Sequence, residues 1–457
     1  MDTIRDLNPT TGECLAEIDC AGKNEVEAAV ARARTAWPAW RALSIDERCS
    51  LLAGGAKRLG ERATEIGELI AREMGKPLQN GLGEARSYAK HVPKELEEVR
   101  AALAPQDFKG PGSSTTLVRE PHGVVAAITP WNFPVGMPLG ILVPALASGN
   151  TVVLKPSEHV PLCGALIAEC FGADLPEGVL ELLQGDGATG AALVAADIDM
   201  VGFVGSRETG MAIMAAAASG LKRLVLELGG KDPLVVFADA DLAAAAEVAV
   251  QHSVRNTGQV CCGLERIFVE ESVLGPFTEL VLEQAAQWGH GDPMARGDAP
   301  AAPLGPMVSR AQRDKVAAQV DAAVADGARL LLGGTVPAGP GAFYPTTVLA
   351  DVSPEMTVYR EETFGPVVAL ISFDGSEAEA IRLANDTPFG LGANVFSGDL
   401  ARARRVAAEM RAGQVGVNRY LGSAPGTPWV GARHSGFGFL GGVEGHRQFT
   451  WPKSISE

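Results

Sequence analysis

A cysteine among small residues, in Asn256-Thr257-Gly258-Gln259-Val260-Cys261-Cys262, and a glutamate opening Glu227-Leu228-Gly229-Gly230-Lys231 place a thiol and a carboxylate in turn-forming contexts. A thiolate attacks a carbonyl carbon, and release of the adduct needs activated water, so Cys261 and Glu227 together propose nucleophilic catalysis in two steps. Either residue alone says little, because most cysteines are small buried hydrophobes and most glutamates are solvated charges. A third candidate is Asn132 in Thr129-Pro130-Trp131-Asn132-Phe133-Pro134. The two prolines fix that loop, and a fixed amide donor suits an oxyanion that exists only in the transition state. A plain turn is the ordinary role of such an asparagine.

The elements that must position these groups follow from hydrophobic patterning. Residues 24–101 carry helical spacing, with Asn24 and Ser44 as N-caps. From residue 124 the pattern becomes short apolar runs alternating with helices: 124–128, 151–154, 179–183, 200–204 and 224–226. After Lys231 a second set follows at 234–237, 266–269, 367–371, 394–396 and 415–417, with helical runs between them at 239–253, 274–288, 309–326, 376–386 and 399–411. Continuous apolar strands separated by helices predict parallel sheets covered on both faces. Two α/β domains therefore abut near residue 230, and a cleft between them would bring Glu227 and Cys261 together.

A chain of 457 residues exceeds one hydrophobic core. Its 39 Lys and Arg against 55 Asp and Glu, a formal charge of -16 with no basic run, argue against nucleic acid and anionic membranes and favour small-molecule partners. The first residues have no signal-like apolar core, and no later run is long enough to span a bilayer, so a cytoplasmic location is expected. Seven scattered cysteines, an odd number without metal-ligand spacing, fit a reducing compartment and predict neither a disulfide framework nor a metal.

Two further segments suit a phosphorylated ligand. Gly205-Ser206-Arg207-Glu208-Thr209-Gly210 follows a strand and opens a helix, where backbone N–H groups can face an anion. Lys155-Pro156-Ser157-Glu158 ends another strand with a cation for phosphate or ribose oxygens and a carboxylate for ribose hydroxyls. A simple strand-to-helix turn and a solvated charge pair are the bland accounts of the two.

Taken in order, Pro130-Trp131-Asn132, Lys155-Pro156-Ser157-Glu158, Phe203-Val204-Gly205-Ser206, Glu227-Leu228-Gly229-Gly230-Lys231, Gly258-Gln259-Val260-Cys261 and Glu361-Glu362-Thr363-Phe364-Gly365-Pro366 resemble the aldehyde dehydrogenase superfamily across nearly the whole chain. That resemblance implies an α/β fold with two Rossmann-like open-sheet domains and a small β oligomerisation arm. The cofactor domain would take 1–105 and 122–229, the catalytic domain 230–433, and the arm 106–121 with 434–457, in a homodimer or homotetramer. It implies NAD as cofactor, with NADP as the alternative. Trp131, Lys155, Ser157, Glu158, Gly205, Ser206, Leu228, Glu362 and Phe364 would bind it. Glu158 favours NAD, because it should accept from a free 2′-hydroxyl and repel a 2′-phosphate. Cys261 would be the nucleophile, Asn132 the oxyanion donor and Glu227 the base that hydrolyses the thioester.

Substrate choice rests on fewer residues. Arg255 stands where succinate semialdehyde dehydrogenases have a carboxylate-binding arginine, although a helix cap or surface ion pair accounts for it equally well. A second such arginine, which would align near Gly140, is absent, and Ile141 replaces the lysine usual in that helix. Phe133 and Trp429 keep aromatic and aliphatic aldehydes open. Coenzyme-A acylation is disfavoured by Glu227. A cofactor-free thiol hydrolase would need a histidine beside Cys261, for which His252 is the near candidate, and a silent binding protein would be expected to lose Cys261, Glu227 or Asn132.

Overall fold

The computed structural model describes residues 2–295, 303–422 and 424–457. Five sheets are present among them, and the two largest carry the core. The six-stranded sheet runs Gly436–Phe437, Arg223–Glu227, Met200–Val204, Val124–Ile128, Thr151–Lys155 and Leu180–Leu182, parallel except for its first strand. Three of these strands are buried at every position, which is why they read as unbroken apolar runs. Their side chains still alternate between faces. Val125 and Ala127 pack with Leu52 and Leu59 of the helix Ile45–Glu61, whereas Val124, Ala126 and Ile128 pack with Val26, Ala29 and Val30 of the helix Lys23–Ala42.

Ser44 caps the helix Ile45–Glu61 as expected, in a reciprocal capping box with Glu47. Asn24 does not cap: the preceding helix starts at Lys23 behind Gly22, so Asn24 lies within its first turn.

The second sheet has seven strands in the order Arg329–Leu332, Thr347–Ala350, Val367–Phe373, Leu264–Glu270, Asp232–Val236, Gly392–Phe396 and Gln414–Val417. Only its first pair is antiparallel. The expected helices lie between its strands, over Leu242–Val254, Leu274–Ala285, Arg310–Ala325, Glu377–Ala384 and Leu400–Glu409. Five strands were not anticipated: Arg329–Leu332, Thr347–Ala350, Trp429–Val430, and the N-terminal hairpin Thr3–Leu7 with Cys14–Asp19. In the hairpin, Ile4 and Asp6 both face inward, so a buried carboxylate breaks the apolar alternation that marks a strand.

A third sheet pairs Gln106–Gly110, Ser113–Pro121 and Thr450–Ser456, all antiparallel. Gln106–Gly110 is exposed throughout, and Phe108, Trp451 and Ile455 show large apolar surfaces to solvent. All seven cysteines are free thiols, and no described helix is long and apolar enough to cross a membrane.

Candidate active site

Four parallel strands of the six-stranded sheet end at one place. The carboxyl ends of Val124–Ile128, Thr151–Lys155, Met200–Val204 and Arg223–Glu227 deliver the Trp131-Asn132 loop, Lys155, Gly205-Ser206 and Glu227. Such ends are the usual binding edge of an open α/β sheet. The seven-stranded sheet approaches the same place from its other end. Cys261 precedes the strand Leu264–Glu270, Phe364 precedes Val367–Phe373, and Lys231 precedes Asp232–Val236. Between the two edges lie three cavities of about 640, 150 and 580 Å³ that share lining residues and so form one channel. Every site residue named from the sequence lines it.

The segment before Cys261 is held in an unusual shape. Asn256 and Thr257 both adopt left-handed backbone, at φ 55° and 56°, a costly conformation for a β-branched threonine. Gly258 continues the turn at φ +71°, and a Cβ there would sit 2.0 Å from the Gly365 carbonyl, so only glycine fits. Buried side chains fix this shape. Gln259 accepts from the Val308 N–H at 2.8 Å and donates to the Asn256 carbonyl at 3.0 Å, while Asn256 Nδ2 donates to the Asn132 and Gln259 carbonyls, each at 3.1 Å. Asn132 Nδ2 also donates to the Gln259 carbonyl at 3.1 Å, which leaves its second N–H available.

Cys261 is half-buried and borders both the 150 and the 580 Å³ cavities, whereas Cys262 borders only the larger. The Tyr420 hydroxyl donates to the Cys262 carbonyl at 2.6 Å and lies 3.1 Å from its Sγ. The hydrogen bond shared by the two thiols, reinforced by burial, pushes Cys261 up, and the same bond draws Cys262 down to about 7. Position rather than acidity singles out Cys261, because only its sulfur faces both ligand compartments.

Glu227 is 4% exposed, and neither carboxylate oxygen has a hydrogen-bond partner. Burial alone drives its carboxyl well above the ordinary range. A buried, unsatisfied carboxyl on a channel wall is an acid-base group without a structural duty. His252, the histidine nearest Cys261 in sequence, stacks on the Tyr420 ring at 3.4 Å, and burial draws it down to about 3. So weak a base does not serve a thiol hydrolase.

The 640 Å³ groove fits an extended dinucleotide. Lys155, Ser157 and Glu158 line one end, with Lys155 Nζ 3.7 Å and Ser157 Oγ 3.4 Å from Glu158 Oε2. Gly205 and Ser206 lead into the helix Arg207–Ala217, which Ser206 caps through the Thr209 N–H at 3.3 Å. At the inner end, Phe364 meets Trp131 edge to face at 5.5 Å, and Glu362 accepts from the Gly230 N–H at 3.0 Å. Burial raises Glu362 to about 8. Leu228 lines this end and donates its own N–H away, to the Ser435 carbonyl.

Arg255, Phe133 and Trp429 line the 580 Å³ cavity. The Arg255 guanidinium stacks over Tyr420 at 5.2 Å, its Nε is buried without a partner, and no ion pair engages it among the described residues. The residue does close the helix Leu242–Val254, its backbone N–H donating to the Gln251 carbonyl, and its Nη2 donates to the Tyr420 hydroxyl at 3.5 Å, but the guanidinium makes no surface salt bridge among the described residues. Phe133 is braced by Lys76 Nζ, 4.2 Å over its ring. Gly140 also lines the cavity, and a Cβ there would meet nothing within 4 Å. Ile141 points elsewhere, into the core against Gly202.

Two buried ion pairs escaped the sequence reading. Lys76 Nζ meets Glu84 at 2.6 Å and the Asn132 carbonyl at 3.0 Å, and Glu84 accepts from the Val135 and Gly136 N–H groups. Lys231 Nζ meets Glu265 at 2.6 Å, and Glu265 accepts from the Thr363 and Phe364 N–H groups. Each pair pins one channel loop. Neither has a local signal: Lys76 and Glu84 are eight residues apart on a polar stretch, and Lys231 and Glu265 are 34 apart.

The model of the aldehyde dehydrogenase family matches residues 1–455. The chain is 40% identical to the succinate semialdehyde dehydrogenase (NAD(P)+) Sad of Escherichia coli, over 94% of this chain and 93% of that protein. It is 39% identical to a betaine aldehyde dehydrogenase of Sinorhizobium fredii, over 99% and 93%. The crystal structure of lactaldehyde dehydrogenase from Escherichia coli superposes with a TM-score of 0.96 at 34% identity, covering 100% of this chain and 96% of that one.

Proposed function

Because the chain belongs to the aldehyde dehydrogenase family and so oxidises an aldehyde with NAD(P) as acceptor, we propose that Cys261 is its nucleophile, Asn132 its oxyanion donor and Glu227 its hydrolytic base, acting on an acid semialdehyde such as succinate semialdehyde. One observation carries this reading. Among the described cysteines and glutamates, only Cys261 and Glu227 border both the dinucleotide end of the channel and the substrate cavity.

The Cys261 thiol must lose its proton before attack, to Cys262 or to solvent. The thiolate then adds to the carbonyl carbon, and the oxygen takes up negative charge. The free N–H of Asn132 Nδ2 and the backbone N–H of Cys261 stabilise that charge in a site that needs no reorganisation. A nicotinamide held by Trp131, Leu228, Glu362 and Phe364 would supply the hydride acceptor, and loss of hydride from the adduct on Cys261 would leave a thioester there. Glu227 takes a proton from water, the hydroxide adds to the thioester carbonyl, and Cys261 departs as thiolate. Glu227 has to be ionised for this step, so its raised pKa makes hydrolysis quicken as pH rises.

Lys155, Ser157 and Glu158 would hold the adenosine ribose, Gly205 and Ser206 the pyrophosphate, and Trp131, Leu228, Glu362 and Phe364 the nicotinamide riboside. The Glu158 carboxylate in the ribose groove favours NAD over NADP. Residues 1–105 with 122–229 and 230–433 make up the cofactor and catalytic domains. Segments 106–121 and 434–457 are an arm for a homodimer or homotetramer, although Gly436–Phe437 pairs into the six-stranded sheet; the arm's own sheet is Gln106–Gly110, Ser113–Pro121 and Thr450–Ser456, with the exposed strand Gln106–Gly110 an edge open to pairing. Seven free, scattered thiols support a reducing compartment, the cytoplasm.

The Arg255 guanidinium in the cavity, with no ion-pair partner among the described residues and its Nε unsatisfied, supports the acid semialdehyde. Formation of reduced nicotinamide from succinate semialdehyde, benzaldehyde and hexanal tests it. Arg255→Leu should raise KM for succinate semialdehyde about tenfold and leave hexanal nearly unchanged, the loss of one charge-assisted contact. Equal losses on all three would favour the aromatic or aliphatic reading that Phe133 and Trp429 support.

A further inference from the structure

The loop that carries Asn132 is held by two residues that line none of the three cavities, Lys76 and Glu84. Their side chains are only 4% and 5% exposed. Lys76 lies in the turn ahead of the helix Leu78–Leu103, and its Nζ donates to the Asn132 carbonyl at 3.0 Å. Glu84, on that helix, accepts from Lys76 on Oε2 at 2.6 Å and from the Val135 and Gly136 N–H groups on Oε1 at 3.0 and 3.1 Å. These two amides open the helix Gly136–Ala147, whose N-cap, Val135, has no oxygen in its side chain to accept from them. Glu84 therefore caps a helix that starts 51 positions further along the chain, and it sets a negative charge at the positive end of that helix. A Cβ on Gly136 would lie 2.5 Å from the Tyr88 hydroxyl, so the helix that carries Glu84 packs closely against this end. Asn132 is thus tied at its own carbonyl and again, three residues on, at Val135.

A buried ion pair adds little net stability compared with apolar side chains of the same volume, so its fixed directions are what it offers here. Residues 129–135 lie between the strand Val124–Ile128 and the helix, outside both elements, with Pro130 and Pro134 limiting the backbone. We propose that Lys76 and Glu84 are positioning residues for the oxyanion step: the pair holds the Asn132 backbone so that its free amide N–H points at the carbonyl oxygen of an aldehyde bound at Cys261. This rests on the reading of Asn132 as oxyanion donor and extends it to two residues outside the channel. The Asn132 carbonyl is shared by Lys76 Nζ and Asn256 Nδ2, and Asn132 Nδ2 gives its other N–H to the Gln259 carbonyl. Both ends of the residue are then fixed, the backbone by a cation and the side chain by the cysteine turn. Loss of the cation frees the backbone end, and a misplacement of about 1 Å in a reacting constellation lowers a rate about 10²-fold. Neither Lys76 nor Glu84 touches the reacting atoms.

The test is a double-mutant cycle on the first turnover, followed by stopped flow as reduced nicotinamide at saturating NAD with succinate semialdehyde or hexanal, whichever reacts faster. Asn132→Ala should slow it about 10²-fold or more, the scale of one oxyanion donor. Glu84→Gln keeps an oxygen for the Val135 and Gly136 amides but removes the charge that orients Lys76, and should slow it about tenfold. Lys76→Met together with Glu84→Gln, a neutral pair, should slow it about 10²-fold. In the Asn132→Ala background both changes should cost nothing further, since no amide is left to aim. Alkylation of Cys261 by iodoacetamide, located by mass spectrometry, forms no oxyanion and should proceed at the wild-type rate in every variant, with thermal unfolding as the check on folding. The positioning role is overturned if the pair variants keep the wild-type first turnover, if their losses multiply with that of Asn132→Ala, or if Cys261 alkylation falls in step with turnover. In each of those cases a slowed Asn132→Ala leaves the oxyanion reading standing. If Asn132→Ala itself keeps the wild-type rate, that reading falls and the positioning role falls with it. Should the neutral pair fail to fold, Glu84→Gln alone completes the cycle.

Discussion

The two large sheets share one architecture and meet the channel with opposite ends. The six-stranded sheet offers carboxyl ends, where polar loops and a helix N-terminus line an open groove: Lys155 sits beside the part-exposed Glu158, and Ser206 caps its helix at the surface. The seven-stranded sheet offers amino ends, where the chain must be forced into position. There the left-handed Asn256 and Thr257 and the fully buried Lys231–Glu265 pair set the loops of Cys261 and Phe364. Binding groups can tolerate an adaptable edge. A nucleophile aimed at one carbon, the role proposed for Cys261, cannot, and the structure concentrates its backbone strain on that side. Buried ion pairs serve both edges, Lys76–Glu84 at the Asn132 loop and Lys231–Glu265 at the Phe364 loop.

The sharpest break of this comparison is Cys261→Ala, expected to lower kcat by about 10⁴-fold or more, the scale of losing an enzyme nucleophile. Cys262→Ala should keep most of the rate, so steady-state kinetics of the two variants decide which thiol is used. Glu227→Gln, on the opposite edge, should leave one rapid turnover per site and then slow the steady state by about 10²–10³-fold, visible as a burst of reduced nicotinamide. The same variant has a stability signature. Glu227 has a raised folded-state pKa, so between the unfolded value near 4.5 and its folded value the native state binds more protons than the unfolded chain, and wild-type stability falls as pH rises through that window. Glu227→Gln removes that loss. Denaturant unfolding should find it more stable than wild type at pH 8 and no more stable below pH 4.

Lys231→Met tests the side under tension. It strands the Glu265 carboxylate in the core and should cost about 3–5 kcal/mol in denaturant unfolding. On the groove side, Lys155→Met leaves a partner already part-exposed to water, so its cost should be only about 0–1 kcal/mol, with the damage appearing in cofactor affinity instead. The smallest change is Gly140→Arg, which fills open space on the cavity wall with a second guanidinium. It should lower KM for succinate semialdehyde by about tenfold or less.

Much of the groove edge was legible in the sequence because strand, turn and functional residue are neighbours there. Thr151–Lys155 is an apolar run that ends in its own cation, and Met200–Val204 runs straight into Gly205-Ser206. Cys261 and Glu227 stood out for a different reason: small flanking residues marked sharp turns around reactive groups. What stayed hidden depends on partners far apart in the chain. Nothing near Glu265 announces Lys231, 34 positions away, or that Glu265 holds the Phe364 loop. Glu84 reads as one more charge on an amphipathic helix, and only the packing of that helix against the Asn132 loop turns it inward. The edge strand Arg329–Leu332 and the N-terminal hairpin were missed because they are short or carry a buried acid, so the period that marks a strand is broken.

Gly229-Gly230 joins the last strand of one sheet to the first of the other, and adjacent glycines usually suggest a hinge. Here they are a seam. A Cβ on Gly229 would lie 2.4 Å from the Glu362 carboxylate, and one on Gly230 would lie 2.6 Å from the Cys261 carbonyl, while the Gly230 N–H is already donated to Glu362. Neither glycine has positive φ, so bare size, not backbone freedom, is what the site demands of them. Three chain segments cross within contact of this dipeptide. A bend at this dipeptide would have to part the loops of Cys261 and Glu362, so the seam keeps Glu227 and Cys261 in register across the channel.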